Sequence, residues 1–202
     1  MGTTSEDPLY SERLDDALAF VTRTFRHITR KDGGTPYLWH LLAVASMVGE
    51  AGGSEDQVIA GLLHDYLEDI DGGSIAILSS RWGEKVASLV EVLSDTTKRP
   101  KPPWKQRKEQ HVARMRSAPP AAKLIALCDK LHNARSTLHD LGAIGDAVWE
   151  RFSAPKLETL WYYRAMSAAI AEGFDHPLVA ELDELVRQLH RAAGCALEDI
   201  SA

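Results

Sequence analysis

Apolar residues recur at three- and four-residue spacing along almost the whole chain, and this periodicity restricts the fold most strongly. Leu14, Leu18, Val21 and Phe25 show the pattern near the N-terminus. Such spacing places side chains on one face of an α-helix. No segment rich in Val, Ile and Thr alternates in the manner of a β-strand, and no internal repeat is found. The sequence therefore predicts an all-α protein, a single helical domain over residues 1–202.

Glycine and proline residues divide the periodic pattern into separate helices. Ser54, followed by Gln57 three residues later, is typical of a capping box and predicts the start of a third helix. The predicted helices cover residues 11–29, 41–48, 54 to about 70 (through Tyr66 and Leu67), 74–81, 84–93, a segment beginning at Pro119 and Pro120, 144–172 and 177–193. A loop is expected over 30–39, and three prolines exclude a helix just before Trp104.

The charge distribution separates a basic segment from an acidic body. The net charge is −6, but the stretch from Lys98 to Arg116 holds eight basic residues and one acidic residue, and the remainder carries −13. This division disfavours general nucleic-acid binding, which uses a broad basic face. It suits one small, highly charged anion, although a solvated basic helix face would explain it equally well.

Nothing in the sequence predicts a membrane segment or a secretory signal. The longest uncharged apolar stretch, Leu41 to Gly49, is shorter than a membrane-spanning helix requires. The first eight residues are polar and carry two acids, unlike a signal peptide. Two cysteines do not form a disulfide framework. We therefore expect a cytoplasmic protein.

Four residues on or beside predicted helices form a candidate metal site: His40, the adjacent His64 and Asp65, and Asp129. Apolar residues flank each of them, and a buried carboxylate needs a partner because desolvation of its charge is costly. One divalent cation would partner all four side chains. Mixed nitrogen and oxygen ligands suit manganese, iron or zinc better than calcium. The alternative is that each residue is a separate hydrogen-bonded core residue.

Glu68 and Asp69 follow His64 and Asp65 at a spacing of four residues. On a continuous helix, each carboxylate would lie on the same face as a candidate ligand, one turn further on. Carboxylates beside a metal site are suited to orienting water or transferring its proton. The alternative is a solvated helix end, but acidic residues there oppose the helix dipole.

Four stretches of the chain together resemble one branch of a known enzyme family. They read RKDGGTPYLWH (30–40), AGLLHDYLED (60–69), RWGEKVASLVEVLSDTTK (81–98) and LIALCDKLHNARS (124–136). Their order is similar to that in HD-domain metal-dependent phosphohydrolases, in the RelA/SpoT hydrolase branch with its stand-alone small alarmone hydrolases. The motif core spans about residues 30–136, and C-terminal helices would follow over 144–193.

The resemblance implies a helical HD bundle that holds Mn²⁺ and removes the 3′-pyrophosphate of ppGpp or pppGpp. Another divalent transition metal would also suit these ligands. Too few residues follow position 136 for a synthetase domain, so we expect hydrolase activity alone. The implied metal ligands are His40, His64, Asp65 and Asp129; Glu68 and Asp69 would serve the attacking water; Arg30 and Lys31 would contact the base; Asn133 and Ser136 would contact the ribose and phosphate region.

Several basic side chains are candidates for neutralising the charge of the substrate phosphates. Lys98, Lys101, Lys105, Arg107 and Lys108 all lie in the basic segment, and Lys108 is preferred. Two other functions remain open: an HD phosphohydrolase for another phosphorylated nucleotide or dinucleotide, and a non-catalytic nucleotide-binding or antitoxin protein. The sequence leaves open a homo-oligomer and a toxic alarmone synthetase whose product this chain would remove.

Overall fold

The structure is a computed structural model that describes residues 9–31 and 34–195. The ends of the predicted 1–202 domain lie outside the described residues. The helices are α1 (Glu12–Thr24), α2 (Leu38–Glu50), α3 (Glu55–Leu63), α4 (Tyr66–Asp69), α5 (Ile75–Trp82), α6 (Glu84–Leu93), α7 (Trp104–Arg116), α8 (Pro120–Ile144), α9 (Lys156–Ala171) and α10 (Pro177–Ala192).

Helix α8 lies at the centre of the bundle. It packs against α2, α3, α6, α9 and α10, while α1 covers α3 and α7 lies against α9. Its apolar side chains Ile125, Leu127 and Leu131 are fully buried. A helix that is apolar on most of its circumference belongs in the interior, and so α8 carries Asp129 into the middle of the molecule.

The prediction of an all-α fold is confirmed. Apart from an isolated bridge between Thr29 and Pro36, residues 9–31 and 34–195 contain no β-structure. Helix α3 begins after Ser54 as predicted, and the backbone N–H of Ser54 donates to Gln57 Oε1 at 3.0 Å. Among the described helices, none has both the length and the apolar character needed to cross a membrane.

The prediction of one continuous third helix is wrong. Helix α3 ends at Leu63, and α4 begins only at Tyr66. Asp65 has φ −96° and ψ 1°, which departs from helical geometry. Its carboxylate accepts a hydrogen bond from the hydroxyl of Tyr37 at 2.6 Å, which helps to hold this turn. Because the helix is interrupted, Glu68 does not lie one helical turn below His64.

The predicted helix over 144–172 is also wrong. Helix α8 runs on to Ile144 and ends at Gly145, which has φ 61°. A 3₁₀ helix follows over Gly145–Arg151, and α9 begins only after Pro155. Glycine adopts a positive φ without steric cost, and proline suits the start of a helix. Gly145 therefore ends α8, and Pro155 precedes the start of α9.

A buried lysine joins the ends of two helices. Lys123 on α8 is 2% exposed. Its ammonium donates to the carbonyl of Arg116 at 2.9 Å, to that of Ala169 at 3.3 Å, and to that of Glu172. The last carbonyls of a helix lack partners within the helix, so Lys123 satisfies the C-terminal ends of α7 and α9 at once.

We expect Lys123→Met to lower the free energy of unfolding by about 3 kcal/mol, because buried carbonyls lose their donor. Urea denaturation followed by circular dichroism measures the change. Lys85→Met is the matched control, since Lys85 is largely exposed and makes one surface ion pair, with Asp56. It should cost less than about 1 kcal/mol. Equal losses in the two variants would contradict the capping role.

Candidate active site

Three separate parts of the fold bring the four candidate metal ligands together. His40 lies on α2, His64 and Asp65 form the turn between α3 and α4, and Asp129 lies on α8. Ligand atoms of His40, His64 and Asp65 lie within 4.8 Å of one another. Asp129 Oδ1 lies 3.3 Å from His40 Nε2 and 3.8 Å from His64 Nε2. Residues 89 positions apart therefore face a common point.

The spacing of these atoms suits a small cation. Asp65 Oδ2 lies 2.9 Å from His64 Nε2 and 3.7 Å from His40 Nε2. Ligand bonds of about 2.1 Å, meeting at angles between 90° and the tetrahedral angle, separate neighbouring ligand atoms by about 3.0–3.4 Å. The observed separations bracket this range, so the side chains fit a metal ion with little rearrangement.

The surroundings of the two ring nitrogens of His64 also indicate a metal site. Its Nδ1 lies 2.7 Å from the carbonyl of Gly61 and donates to it. Its Nε2 is buried and lies 2.9 Å from Asp65 Oδ2, without hydrogen-bond geometry between the two atoms. Because Nδ1 donates to a carbonyl, the neutral ring presents the lone pair of Nε2 to the two carboxylates, and a lone pair placed in this way is a typical metal ligand. The donor set therefore fits a divalent cation.

Electrostatics around the four ligands favour positive charge. Burial opposes protonation of His64, but the Asp65 and Asp129 carboxylates outweigh it and raise the pKa of His64 to about 9. Burial also disfavours the charged form of Asp129, yet Lys130 and the two imidazoles hold the pKa of that carboxyl well below its usual range. Both aspartates are therefore ionised and available as ligands at neutral pH.

Asp129 is fixed by neighbours on its own helix. Lys130 Nζ donates to Asp129 Oδ2 at 2.6 Å, and Asn133 Nδ2 donates to Asp129 Oδ1. These bonds orient the carboxylate toward the two imidazoles, which reduces the entropy lost when a cation binds. Asn133 thus contacts a candidate ligand directly, in addition to its predicted contact with substrate.

Glu68 and Asp69 lie on the wall beside this site. Glu68 Oε2 accepts the backbone N–H of Asp95 at 3.3 Å, and Lys101 Nζ lies 3.9 Å from Glu68 Oε1 and 3.8 Å from Asp69 Oδ1. Burial, with the nearby charges of Asp65 and Glu68, raises the pKa of Asp69 to about 7. Burial also raises the pKa of Glu68, against the opposing charge of Lys108. Groups tuned in this way transfer protons near neutral pH.

A cavity of about 820 Å³ opens over the ligands. His64, Asp65, Asp129, Glu68 and Asp69 form part of its lining. The five residues predicted to contact substrate also line it: Arg30, Lys31, Lys108, Asn133 and Ser136. This volume is in the range of small-molecule sites, and seven basic and five acidic residues among the lining give it a positive balance.

The basic segment contributes only part of its charge to this cavity. Lys101, Arg107 and Lys108 line the cavity, whereas Lys98 and Lys105 do not. Lys105 lies over the ring of Trp161, 3.2 Å from its centroid. Lys108 donates to the buried Asp95 at 2.7 Å and lies 4.7 Å from the Tyr162 ring centroid. Three of the five basic side chains considered for phosphate contact therefore line the cavity, and their role stays a prediction.

Arg30 and Lys31 enter the cavity from the loop before α2. Arg30 Nη2 donates to Asn133 Oδ1 at 3.0 Å. Lys31 Nζ lies 5.6 Å from the centroid of the Phe152 ring. Burial and the charge of Lys108 lower the pKa of Lys31. Both side chains therefore line the cavity, and their contacts with the base stay predictions.

Sequence reasoning missed several residues of this site. The Tyr37 hydroxyl donates to Asp65, Lys130 donates to Asp129, and the Tyr162 hydroxyl lies 3.0 Å from His111 Nδ1. His132, which was not among the predicted site residues, lies with its Nδ1 2.9 Å from His40 Nδ1. Its spacing of three residues from Asp129 was the available signal, because such residues share a helix face.

Comparison with known proteins decides the family. The HD domain model matches residues 17–159, which is more than half of the chain. The chain belongs to the HD-domain family. This HD-domain protein is 31% identical to the mouse (Mus musculus) guanosine-3′,5′-bis(diphosphate) 3′-pyrophosphohydrolase MESH1 over 92% of the chain and 97% of that relative. It is 32% identical to the human (Homo sapiens) MESH1 over 87% of the chain and 94% of the relative.

Solved structures share the fold. A structure described as a metazoan ortholog of SpoT that hydrolyzes ppGpp superimposes with a TM-score of 0.74 at 24% identity, covering 91% of this chain and 98% of the other. The lmo0812 protein of Listeria monocytogenes superimposes with a TM-score of 0.67 at 29% identity, covering 75% and 99%. The HD-domain bundle and the RelA/SpoT hydrolase branch indicated by the motifs are therefore confirmed.

Proposed function

We propose that this HD-domain protein hydrolyses ppGpp and pppGpp, releasing the 3′-pyrophosphate. One observation carries the proposal: the four candidate ligands meet at one point, and three of them line a basic cavity together with Glu68 and Asp69. The MESH1 relatives, which match almost end to end, bear that activity in their names. The catalytic unit is one domain, because α8 packs against helices from both halves of the chain.

His40, His64, Asp65 and Asp129 would hold the divalent cation, and we propose Mn²⁺. When bound, such a cation supplies activated water and offsets phosphate charge. Two imidazoles and two carboxylates leave positions open for water and substrate, as mixed-ligand catalytic sites require. Manganese accepts both ligand types. The buried Nε2 of His64, with carboxylate oxygens of Asp65 and Asp129 at 2.9 and 3.8 Å, supports a divalent cation at this point.

Glu68 and Asp69 would manage the proton of the attacking water. Both carboxylates line the cavity on the side of Asp65, and their pKa values are raised, which keeps proton transfer favourable near neutral pH. In this mechanism Glu68 orients the water and accepts its proton. Asp69 supplies a proton to the 3′ oxygen of the leaving nucleotide.

The cationic side of the cavity would bind the phosphates. Lys108 is our candidate for binding the 3′-pyrophosphate. It lines the cavity, and its ammonium lies close enough to the Glu68 carboxylate for the two charges to attract each other. Lys101 and Arg107 lie beside it. Ammonium and guanidinium groups in a partly desolvated site stabilise developing charge on phosphate oxygens strongly. The nucleotide is therefore the main partner of this protein.

Arg30, Lys31, Asn133 and Ser136 would contact the nucleoside. Guanidinium groups stack on aromatic bases, and Arg30 is held in place by Asn133. Asn133 and Ser136 lie one turn apart on α8 and line the same cavity. We propose that the reaction takes place in the cytoplasm, where nucleotides are made and used. The proposal is compatible with a homo-oligomer, and with a separate alarmone synthetase whose product this protein removes.

The test is a nucleotide panel with the metal-free protein. The protein is stripped with EDTA, supplied with Mn²⁺, Zn²⁺ or Mg²⁺, and incubated with ppGpp, pppGpp, GTP and a 2′-phosphorylated dinucleotide. Ion-exchange chromatography and a pyrophosphate assay identify the products. We expect GDP or GTP with one pyrophosphate each, fastest with Mn²⁺. If only another nucleotide in the panel is hydrolysed, ppGpp is not the substrate and the HD phosphohydrolase alternative is favoured. Metal-dependent nucleotide binding without hydrolysis would favour the non-catalytic alternative.

A further inference from the structure

His132 faces the side of His40 that points away from the candidate metal site. It lies on α8, half-buried, three residues after Asp129. Its Nδ1 is 2.9 Å from His40 Nδ1, and the two rings are 4.8 Å apart at their centroids. The other nitrogen of His40, Nε2, lies 3.3 Å from Asp129 Oδ1. The two nitrogens of His40 therefore have separate partners.

The contact between two Nδ1 atoms requires one proton between them. A neutral imidazole carries one N–H, and the other nitrogen keeps its lone pair. If Nε2 of His40 binds a cation, the proton must lie on Nδ1, where it is donated to His132. Ligating imidazoles usually donate their second N–H to a fixed acceptor, which sets the tautomer and the ring orientation.

We propose that His132 is a positioning residue that accepts the Nδ1 proton of His40 and so presents His40 Nε2 to the cation. The inference rests on the cation site of the proposed function, but it does not depend on the identity of the nucleotide. His132 does not reach the cation itself. Its contribution is to hold one ligand in the required tautomer and orientation.

Arg30 supports the acceptor role of His132. Arg30 Nη1 lies 3.5 Å from His132 Nδ1, and a guanidinium has donors only. Because Arg30 can only donate, His132 Nδ1 is an acceptor, and the proton between the two imidazoles must then lie on His40 Nδ1. Arg30 also donates to Asn133, which in turn donates to Asp129. The residue proposed to stack on the base is thus linked to two metal ligands through adjacent residues of α8.

Two polar substitutions separate the acceptor from simple packing. In His132→Asn, the side-chain oxygen takes the position of Nδ1 and remains an acceptor for His40. In His132→Gln, the amide extends one bond further, toward the position of Nε2, and leaves His40 without an acceptor. His139→Gln is the matched control, because His139 is exposed on the same helix.

Mn²⁺ affinity is measured by electron paramagnetic resonance titration of the free ion, and thermal unfolding in EDTA reports on folding. We expect His132→Gln to bind Mn²⁺ about 10- to 100-fold more weakly, as typical for loss of a group that orients a ligand. His132→Asn should stay within about threefold of the parent, and His139→Gln should be unchanged. Equal affinity in both His132 variants, whether normal or weak, would overturn the proposal, as would weaker binding by His132→Asn alone.

The readout also separates this inference from the proposed function. If the parent protein binds Mn²⁺ but does not hydrolyse ppGpp, the substrate is wrong and the His132 comparison still applies. If the parent does not bind Mn²⁺, the cation site and the role of His132 fail together. A parent that binds Mn²⁺ and hydrolyses ppGpp while both His132 variants match it would overturn the role of His132 alone.

Discussion

Asp65→Asn is expected to lower kcat for ppGpp hydrolysis by about 1,000-fold and to weaken Mn²⁺ binding. Asp65 Oδ2 lies 2.9 Å from His64 Nε2 and accepts the hydroxyl of Tyr37, so the side chain cannot move to compensate. Asn keeps the shape but replaces an anionic oxygen with a neutral one. A cation that is held less tightly stabilises the transition state less. A loss of about 4 kcal/mol of this stabilisation lowers kcat by about three powers of ten.

Steady-state kinetics with increasing Mn²⁺ measure this loss, and circular dichroism in EDTA checks that the variant folds. Asp183→Asn is the matched control, because Asp183 is exposed on α10 and pairs only with Arg187 among the ion pairs of the described residues. Its kcat should equal that of the parent. Near-normal kcat for Asp65→Asn at saturating Mn²⁺ would show that Asp65 is not a ligand the reaction needs.

Glu68→Gln is expected to lower kcat by about 100- to 10,000-fold while Mn²⁺ affinity and KM stay within a few-fold of the parent values. The amide keeps the acceptor for the backbone N–H of Asp95 but cannot take a proton from water. This split between kcat and metal affinity distinguishes a proton-transfer group from a ligand. Asp69→Asn should also lower kcat, since Asp69 serves the leaving group.

Stopped-flow or steady-state rates, with a parallel Mn²⁺ titration, test the Glu68 prediction. Glu91→Gln on α6 is the control, because Glu91 is exposed and does not line the cavity. The roles proposed for Glu68 and Asp69 require both affected variants to retain metal. A Glu68→Gln variant that loses Mn²⁺ and activity in parallel would instead place Glu68 in the metal site.

Local sequence patterns were sufficient for much of the fold. The periodicity of Leu14, Leu18, Val21 and Phe25 predicted α1, although the helix ends at Thr24 rather than near residue 29. The boundaries of α6 are those predicted, Glu84–Leu93. Such features follow from side-chain spacing and capping within one segment, which a sequence displays directly. The interruption of the helix after Leu63 was missed, and so were the extension of α8 to Ile144 and the start of α9 only after Pro155.

The HD-domain family and its hydrolase branch could be identified from motifs and are confirmed by the comparisons. Motifs also named the ligand types, because two imidazoles and two aspartates in apolar surroundings need a common partner. The roles of the individual site residues stay predictions. The spacing of these residues along the chain does not indicate which nitrogen of His40 faces a cation. It also does not indicate which residue binds the other nitrogen of His40.

Only the tertiary structure decided which side chains support the site. His40 and His132 are 92 residues apart, and Tyr162 and His111 are 51 apart, yet each pair lies within hydrogen-bond distance. No periodicity connects such residues, because their contact results from how α2 packs on α8 and α7 on α9. The sequence by itself determined helical segments and the chemistry available on them. Packing then selected the partners, since one side chain's burial and orientation depend on helices distant in the chain.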